Sequence, residues 1–215
     1  MSTSKHNIVL DIDATLVHTH GDIEEFKMLD VYNDSTKLKY RRKLYNMKLY
    51  DVGLFPGTGS VTKLAGIYRP YLKEFLDFCF EYFDNVVIWS AGKKKYVEKM
   101  CQIMFPLENK PLCIYTYDDC IVGEEDYLKK PLTKVYKDFP QLSEKNTFIL
   151  DDREDTFSLN EKNGIQIPEF ESDMSLEDIS GHPDNSLLKV IAWFSLPKVK
   201  NSKDVRKLNK DNIIW

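Results

Sequence analysis

Cysteine is scarce in this sequence, and long apolar runs are absent. The chain of 215 residues has four cysteines, and they form no CxxC pair. This pattern predicts reduced core cysteines of an intracellular protein rather than a disulfide framework. No stretch approaches the roughly 18–20 apolar residues of a membrane span, and the first residues lack the apolar core of a secretion signal. We therefore expect neither membrane insertion nor secretion.

An excess of positive charge is also absent. The formal net charge is −4, which argues against a protein that binds nucleic acid through its bulk charge. Basic residues are nevertheless clustered, because residues 37–48 contain six of them and no acid, and residues 197–215 contain six against two acids. Solvated faces explain such runs most simply. Nucleic acid remains an alternative partner that is not favoured.

The chain has no internal repeat and no low-complexity segment, and its length suits one domain with an insertion. Short apolar runs rich in branched residues predict buried strands, and patterns of helical period alternate with them. This alternation predicts an α/β protein with a central parallel sheet flanked by helices. The predicted strands span residues 7–12, 85–89, 113–117, 147–150 and 164–167. The predicted helices span residues 70–83, with Pro70 as the first helical residue, 96–105, 132–139, and 185–196 with Leu187, Leu188, Ile191 and Phe194 on one face.

The stretch from about residue 20 to residue 66 fits this alternation less well. It combines Gly53, Pro56, Gly57 and Gly59 with alternating segments and the first basic run. We interpret it as a β-rich insertion of hairpins and loops over or beside the sheet edge. We expect one domain over residues 1–196, followed by a basic C-terminal segment, residues 197–215, whose last apolar residues pack on the domain.

Polar residues follow the three strongest predicted strands at the point where each strand ends. In a parallel sheet these carboxyl ends meet at one crevice, where ligands bind. Several carboxylates in one crevice raise one another's pKa unless a counter-charge is present. Mg²⁺, which prefers oxygen ligands and binds together with substrate phosphates, supplies that charge. The three strand ends are Asp11-Ile12-Asp13, Ser90-Ala91-Gly92 and Asp151-Asp152-Arg153.

This constellation predicts phosphoryl transfer or hydrolysis. Asp11 at the rigid end of a strand suits a nucleophile, and Asp13 suits a general acid that later serves as base. Ser90 and the backbone N–H groups of Ala91 and Gly92 could hold phosphate oxygens at a strand–helix turn. A lysine would complete the positive charge. The alternative, in which the first two aspartates only cap a turn, does not explain the other two strand ends.

Five motifs in a fixed order resemble the haloacid-dehalogenase (HAD) superfamily. Within it the chain is most similar to the FCP/SCP group, protein phosphatases that act on phosphoserine in the C-terminal domain (CTD) of RNA polymerase II. A further segment, FSLNEKNGIQIPEF at 157–170, resembles the ubiquitin-like-domain-containing branch, although only ten residues precede Asp11 and we expect no such domain here. The resemblance covers roughly residues 6–195. The motifs are DIDATLVH (11–18), YRPYLKEFL (68–76), VVIWSAGKKKYV (86–97), KPL (130–132) and FILDD (148–152).

The resemblance implies a role for each matching residue. Asp11 would be the nucleophile, Asp13 the acid and base, and Thr15 would steady the first-motif loop. Ser90 would hydrogen-bond the phosphoryl group. Lys130, which precedes Pro-Leu, would neutralise the phosphate and orient the nucleophile.

The resemblance also implies the ligands of a Mg²⁺ ion. These would be the Asp11 side chain, the Asp13 carbonyl oxygen and one acid of the pair Asp151-Asp152. We favour Asp152 as the direct ligand and Asp151 as the partner of Lys130, although the sequence leaves that order open. Arg69 and Lys95 are further candidates for substrate contact.

The predicted function is that of a Mg²⁺-dependent phosphatase with an aspartyl-phosphate intermediate and a Rossmann-like HAD fold without a large cap. Its expected substrate is phosphoserine or phosphothreonine in a protein, such as a polymerase C-terminal-domain-like peptide. The resemblance implies a nuclear or cytoplasmic location, and a viral protein would fit equally well. Two alternatives stay open: a phosphatase for nucleic-acid 3′-phosphates or small phosphate esters, and a catalytically weak binding module on the same fold.

Overall fold

Strands and helices alternate along most of the chain. The computed structural model describes residues 6–21, 34–52, 57–105, 108–123 and 127–214. In chain order the strands are β1 (Asn7–Leu10), β2 (Val17–His20), β3 (Leu44–Tyr50), β4 (Val61–Tyr68), β5 (Asn85–Trp89), β6 (Cys113–Tyr115), β7 (Ile121–Val122), β8 (Leu128–Lys129), β9 (Thr147–Asp151) and β10 (Gly164–Gln166). The α-helices are α1 (Leu38–Arg41), α2 (Leu72–Tyr82), α3 (Lys94–Met104), α4 (Leu132–Asp138), α5 (Leu176–Gly181), α6 (Ser186–Phe194) and α7 (Pro197–Lys200). Short 3₁₀ helices lie at Ser35–Lys37, Tyr117–Asp119, Glu154–Asn163 and Val205–Lys207.

Five parallel strands form the central sheet in the order β10-β9-β1-β5-β6, which confirms the predicted fold class. Strand β1 lies in the middle, and its last residue Leu10 pairs with Ile88 of β5 and Leu150 of β9. The next residues along the three strands therefore lie at one level, with Trp89 and Asp151 as the last residues of β5 and β9. This register sets the strand end at Asp11 (the first motif) and the strand end at Asp151-Asp152 (the third motif) side by side at the carboxyl edge of the sheet. The loop Ser90-Ala91-Gly92 after β5 is the second-motif loop.

The core fills both faces of this sheet. Alternate residues of a strand point to opposite faces, so Ile8 and Leu10 pack in one buried cluster while Val9 packs in another. Every residue of β1 is buried, which rigidly anchors the strand from which Asp11 emerges. None of the helices in the described residues has both the length and the apolar character needed to cross a bilayer.

Two helix predictions need correction. Helix α2 begins at Leu72 rather than Pro70, because Tyr71 precedes it with a left-handed φ of 65° and therefore interrupts the helical geometry. In α6 the inward face is formed by Leu187, Val190, Trp193 and Phe194. The predicted face was wrong in part, since Leu188 is 38% exposed.

The insertion contains a three-stranded antiparallel sheet in the order β2-β4-β3. This agrees with the predicted β-rich character, although β2 begins at Val17 and β4 ends at Tyr68, slightly outside the predicted range. Gly66 in the central strand packs against Tyr45, and a Cβ at this glycine would overlap the tyrosine hydroxyl. Residues 22–33 and 53–56, which include Gly53 and Pro56, lie outside the described residues.

The C-terminal segment packs on the domain. Ile213 and Ile214 are buried in the main core cluster together with Val199 and Val205. The apolar end of the chain is thus part of the same core, in line with the packing expected from the sequence. The domain boundary at residue 196 stays a prediction.

Candidate active site

A buried lysine joins the ends of β1 and β9. Lys130 Nζ donates to Asp11 Oδ1 at 2.6 Å and to Asp151 Oδ2 at 2.6 Å. The lysine is 1% exposed, and its backbone N–H donates to the Thr156 carbonyl at 2.6 Å. Asp11 follows β1, Asp151 ends β9 and Lys130 follows β8. The structure thus brings together three charged residues that the sequence assigned to one site.

Burial controls the electrostatics of this group. It raises the pKa of Asp11 to about 8, although the nearby Lys130 ammonium acts in the opposite direction. Burial by itself would lower the pKa of Lys130, but the carboxylates of Asp11 and Asp151 outweigh it and raise that pKa. The lysine therefore stays charged and gives the nucleophile candidate a fixed cationic partner.

A threonine ties the first-motif loop to the third motif. Thr15 Oγ1 donates to Asp152 Oδ1 at 3.0 Å, and the Asp152 backbone N–H donates back to Thr15 Oγ1 at 3.0 Å. Burial and the neighbouring Asp151 raise the pKa of Asp152, against the effect of the Thr15 hydrogen bond. This reciprocal pair fixes the Asp152 carboxylate beside the lysine-bound carboxylates.

Three carboxylates form the candidate metal site. Asp11, Asp151 and Asp152 each offer an oxygen, and these oxygens lie within 4.8 Å of one another. The donor set consists of carboxylate oxygens alone, which suits a hard cation such as Mg²⁺. Three carboxylates beside a single lysine leave net negative charge, so a divalent cation fits the residues that are present. Which of the two third-motif acids would bind it directly stays a prediction, although Asp151 already bonds Lys130.

Asp13 has a different environment from Asp11. Its Oδ1 accepts a 3.0 Å hydrogen bond from Thr19 Oγ1 and a short one from the Tyr96 hydroxyl. Ser90 Oγ lies 3.5 Å from its other oxygen, Oδ2. Burial raises the pKa of Asp13 despite these donors. A carboxyl with a raised pKa is suited to carry a proton for general acid catalysis.

The second-motif loop lies between β5 and α3. Ser90 is buried, and its Oγ accepts from the Gly92 backbone N–H at 2.9 Å. That N–H, which the sequence assigned to a phosphate oxygen, is thus used within the loop. Ala91 is exposed. A Cβ on Gly92 would lie 2.7 Å from Tyr96 Cδ1, so the close packing of loop and helix requires glycine.

Arg69 is a buried residue that contacts the first-motif loop. It is 1% exposed, and its guanidinium donates to the Thr15 carbonyl at 2.9 Å and the Pro168 carbonyl at 2.8 Å. It also forms an ion pair with Asp184 at 2.6 Å. The guanidinium thus fastens the first-motif loop to the chain that follows β10, and the role of Arg69 as a substrate contact stays a prediction.

Lys95 lies on the exposed side of α3. Its Nζ donates to the Tyr50 carbonyl at 3.0 Å, which connects the helix after the second motif to the insertion sheet. In the part of the chain that the structure describes, this hydrogen bond is to the insertion and not to the carboxylate cluster. Its role as a substrate contact therefore stays a prediction.

Sequence reasoning missed four residues around the site. Thr19 and Tyr96 bond Asp13, Tyr45 bonds Thr19, and Asp184 pairs with Arg69. A partial signal existed for Tyr96, because a polar side chain in the first turn of a helix that follows a phosphate loop lies near the crevice. Asp184 is 115 positions from Arg69, and no local pattern predicts such a pair.

These features place the chain in a structural class. A parallel sheet in this order, with aspartates after β1 and β9 and a lysine between them, is the Rossmann-like HAD fold that the motifs predicted. In the described residues its insertion is a small antiparallel sheet and not a large cap. The family model described as NLI interacting factor-like phosphatase matches residues 6–206, and the chain belongs to this family.

Curated relatives carry names of the same kind. The chain is 29% identical over 127 residues to ubiquitin-like domain-containing CTD phosphatase 1 of Drosophila melanogaster, a match that covers 56% of this chain and 39% of the relative. It is 29% identical over 176 residues to putative CTD phosphatase-like protein 355R of Invertebrate iridescent virus 6, covering 76% and 85%. It is 26% identical over 211 residues to CTD small phosphatase-like protein 3 of Caenorhabditis elegans, covering 96% and 59%. The chain thus spans well under two thirds of the fly and worm relatives.

Solved structures confirm the fold. A variant of the fission yeast RNA polymerase II CTD phosphatase Fcp1 bound to beryllium fluoride matches with a TM-score of 0.61 and 17% identity, over 88% of this chain and 51% of that one. A second Fcp1 structure matches with a TM-score of 0.61 and 15% identity, over 96% and 59%. The likeness lies in the arrangement of the sheet and helices.

Proposed function

We propose that this protein is a Mg²⁺-dependent phosphatase that works through an aspartyl-phosphate on Asp11. The observation that carries this proposal is the contact of Lys130 with Asp11 and Asp151 at the carboxyl edge of the sheet, beside Asp152. A buried lysine held between two carboxylates is an expensive arrangement for stability alone. Active sites are where such arrangements concentrate.

The residues support a two-step reaction. An Asp11 carboxylate oxygen attacks phosphorus, the bond from phosphorus to the ester oxygen breaks, and Asp13 gives its proton to the departing oxygen. Water then attacks the same phosphorus, Asp13 takes the proton from that water, and the bond to Asp11 breaks to release phosphate. Lys130 holds Asp11 in place and offsets negative charge, and Ser90 offers a hydroxyl to the phosphoryl oxygens.

A metal ion completes this account. The side chains of Asp11 and Asp152 and the carbonyl of Asp13 would hold Mg²⁺, with Asp151 serving Lys130. When bound, the ion supplies positive charge to the nucleophile and to the phosphoryl oxygens. A donor set made only of oxygen atoms supports this choice of metal.

The proposed substrate is phosphoserine or phosphothreonine in a protein, and an RNA polymerase II C-terminal-domain-like peptide is the first candidate. The similarity to proteins named CTD phosphatases supports this choice. A small antiparallel insertion in place of a large cap also suits a peptide that must enter the crevice as an extended chain. The same proposal implies an intracellular substrate pool, nuclear or cytoplasmic, and the viral relative is compatible with it.

Phosphate release from three substrates tests this function. A phosphoserine heptapeptide, a 3′-phosphorylated oligonucleotide and p-nitrophenyl phosphate would each be incubated with protein and Mg²⁺. We expect turnover of the peptide and the aryl ester, and loss of both after chelation of the metal. If the protein dephosphorylates the oligonucleotide but not the peptide, the nucleic-acid alternative would replace the proposed protein substrate.

A variant pair tests the nucleophile. Asp11→Asn should lose turnover of every substrate, whereas Asp77→Asn, which changes an exposed aspartate paired with Lys73 on α2, should keep it. Full turnover by the Asp11 variant would refute the assignment of Asp11 as the nucleophile.

A further inference from the structure

We propose that Thr19 and Tyr96 are positioning residues that orient the Asp13 carboxyl for proton transfer to the leaving group. This inference rests on the proposed function, since it assigns a geometry to the acid of that reaction. It concerns two hydroxyl groups to which the family resemblance assigns no role.

The two oxygens of Asp13 are not equivalent in the structure. Thr19 Oγ1 donates to Oδ1 at 3.0 Å, and the Tyr96 hydroxyl donates to the same oxygen. Oδ2 instead lies 3.5 Å from Ser90 Oγ in the second-motif loop. One oxygen is thus held by hydroxyls from β2 and α3, while the other faces the loop proposed to hold the phosphoryl group.

Counting protons in the hydroxyl cluster supports the same assignment. Thr19 Oγ1 lies 2.6 Å from the Tyr45 hydroxyl and 2.6 Å from the Tyr96 hydroxyl, and each hydroxyl has one proton to donate. Tyr45 can donate either to Thr19 or to the His18 carbonyl at 3.3 Å. In one assignment Thr19 donates to Tyr96 and Tyr96 to Asp13, so that each proton is used once. A second assignment directs Thr19 to Asp13 itself. In both, Oδ1 accepts, and the proton for the leaving group belongs on Oδ2.

The surrounding backbone is shaped to admit both tyrosines. A Cβ on Gly66 would overlap the Tyr45 hydroxyl, and a Cβ on Gly92 would lie 2.7 Å from the Tyr96 ring. Tyr45 belongs to the insertion, and Tyr96 belongs to the helix after the second motif. Two separate elements therefore pack closely, so that the Tyr96 hydroxyl reaches Asp13 directly and the Tyr45 hydroxyl reaches Thr19.

This geometry has a kinetic consequence. A general acid contributes roughly 10²–10⁴-fold to such reactions, and its contribution depends on which oxygen carries the proton. If Oδ1 loses its donors, the carboxyl can rotate and present the wrong oxygen. The resulting loss of kcat/KM should be large for a leaving group that needs protonation and small for one that departs readily as an anion.

Aryl phosphates of similar size test this directly. We would measure kcat/KM, which reports the steps up to departure of the leaving group, for phenyl phosphate and p-nitrophenyl phosphate. For Tyr96→Phe and Thr19→Val we expect a loss of about tenfold or more with phenyl phosphate and of less than about threefold with p-nitrophenyl phosphate. Because neither small ester makes peptide contacts, the ratio of their kcat/KM values reports proton donation by Asp13 alone.

Matched variants control for packing. Tyr115→Phe removes another tyrosine–aspartate hydrogen bond, from Tyr115 to Asp138 at 2.7 Å, and should leave the ratio of the two kcat/KM values unchanged. Thr19→Ser keeps the hydroxyl and should restore a ratio near that of the unchanged protein. If Tyr96→Phe does not fold, the comparison of Thr19→Val with Thr19→Ser decides.

Several outcomes would overturn the inference. For Tyr96→Phe and Thr19→Val these are an equal loss of kcat/KM with both esters, no loss of kcat/KM with either ester, or a rise in KM for both esters with kcat unchanged. For Thr19→Ser it is a failure to restore the ratio of the two kcat/KM values. An unchanged protein that turns over neither ester in Mg²⁺ would instead defeat the proposed function itself, and the inference with it. The two failures are therefore distinguishable.

Discussion

Lys130 Nζ lies 2.6 Å from the Asp11 carboxylate, although the two residues are 119 positions apart in the chain. The same ammonium lies 2.6 Å from Asp151, so one cation links the strand ends that carry the first and third motifs. The carboxylates are buried and would repel each other without it. The lysine therefore serves the fold and the proposed chemistry together.

Replacement of this lysine should damage both stability and turnover. Lys130→Met leaves two buried carboxylates without their cation, and removal of one partner from a buried ion pair typically costs about 3–5 kcal/mol. We expect the free energy of unfolding in urea to fall by about that amount, and phosphate release to be lost. Lys129→Met, at the neighbouring position, should change both quantities little. A larger loss of stability and phosphate release in Lys129→Met than in Lys130→Met would contradict the assignment of Lys130 as the site lysine.

The bond between Thr15 and Asp152 should control metal affinity. Thr15→Val removes the hydroxyl that bonds both the carboxylate and the backbone N–H of Asp152. Loss of a residue that orients a metal ligand commonly weakens binding about 10–100-fold, and calorimetric titration with Mg²⁺ would measure it. Thr147→Val removes a buried threonine hydroxyl from a 3.1 Å bond to Asn146 and serves as control. Equal Mg²⁺ affinity in the two variants would argue against the proposed ligand.

The ion pair between Arg69 and Asp184 should make stability depend on acid pH. Burial acts to raise the pKa of Asp184, but the hydrogen bond and charge of Arg69 outweigh it and hold the pKa below its usual range. The folded state therefore keeps this carboxylate ionised where the unfolded chain already binds a proton. Its stabilising contribution is complete above the ordinary aspartate pKa of about 3.9 and is lost as pH falls through the lower folded value.

Urea unfolding of the unchanged protein and of Asp184→Asn, followed from about pH 6 to pH 2, would measure this effect. The difference in unfolding free energy between the two proteins should be largest near pH 6 and should shrink at the acid end. A difference that is constant over the whole range would show that the carboxylate charge is not what stabilises the fold there.

Gly92 should tolerate no side chain. In Gly92→Ala the new Cβ would lie 2.7 Å from the Tyr96 ring and 3.1 Å from Ser90 Oγ, so the loop or the ring must shift. We expect lower thermal stability and a loss of phosphate release, because both neighbours contact Asp13. Gly181→Ala is the control, since a Cβ there meets no atom within 4 Å. Similar melting temperatures and rates for both variants would mean that the loop is more adaptable than its packing indicates.

The sequence predicted the sheet and the convergence of its strand ends because both follow from local patterns. The buried run before Asp11 and the run before Asp151 each define a strand, and parallel strands place their carboxyl ends together. Lys130 came from resemblance, since nothing in the spacing of lysines selects it. The start of α2 was missed because the left-handed Tyr71 leaves no mark in the apolar pattern.

Long-range polar contacts account for most of what sequence reasoning could not supply. Arg69 precedes Pro70 in a recognisable motif, yet its partner Asp184 is set by how the chain after β10 folds back. Tyr45 and Tyr96 lie in different elements and meet at Thr19 only because the insertion sheet packs against α3. Such contacts depend on tertiary placement, which periodicity does not encode.

Chemical trapping of the phosphorylated enzyme is the most direct test of an aspartyl-phosphate on Asp11. Protein would be quenched in acid during turnover with Mg²⁺ and substrate, and borohydride would then reduce any acyl-phosphate to an alcohol for mass-spectrometric mapping. We predict homoserine at position 11 in the active protein, and none without substrate or in the Asp11→Asn variant. Trapping at a different residue, or steady turnover with no modification at Asp11, would contradict the proposed mechanism.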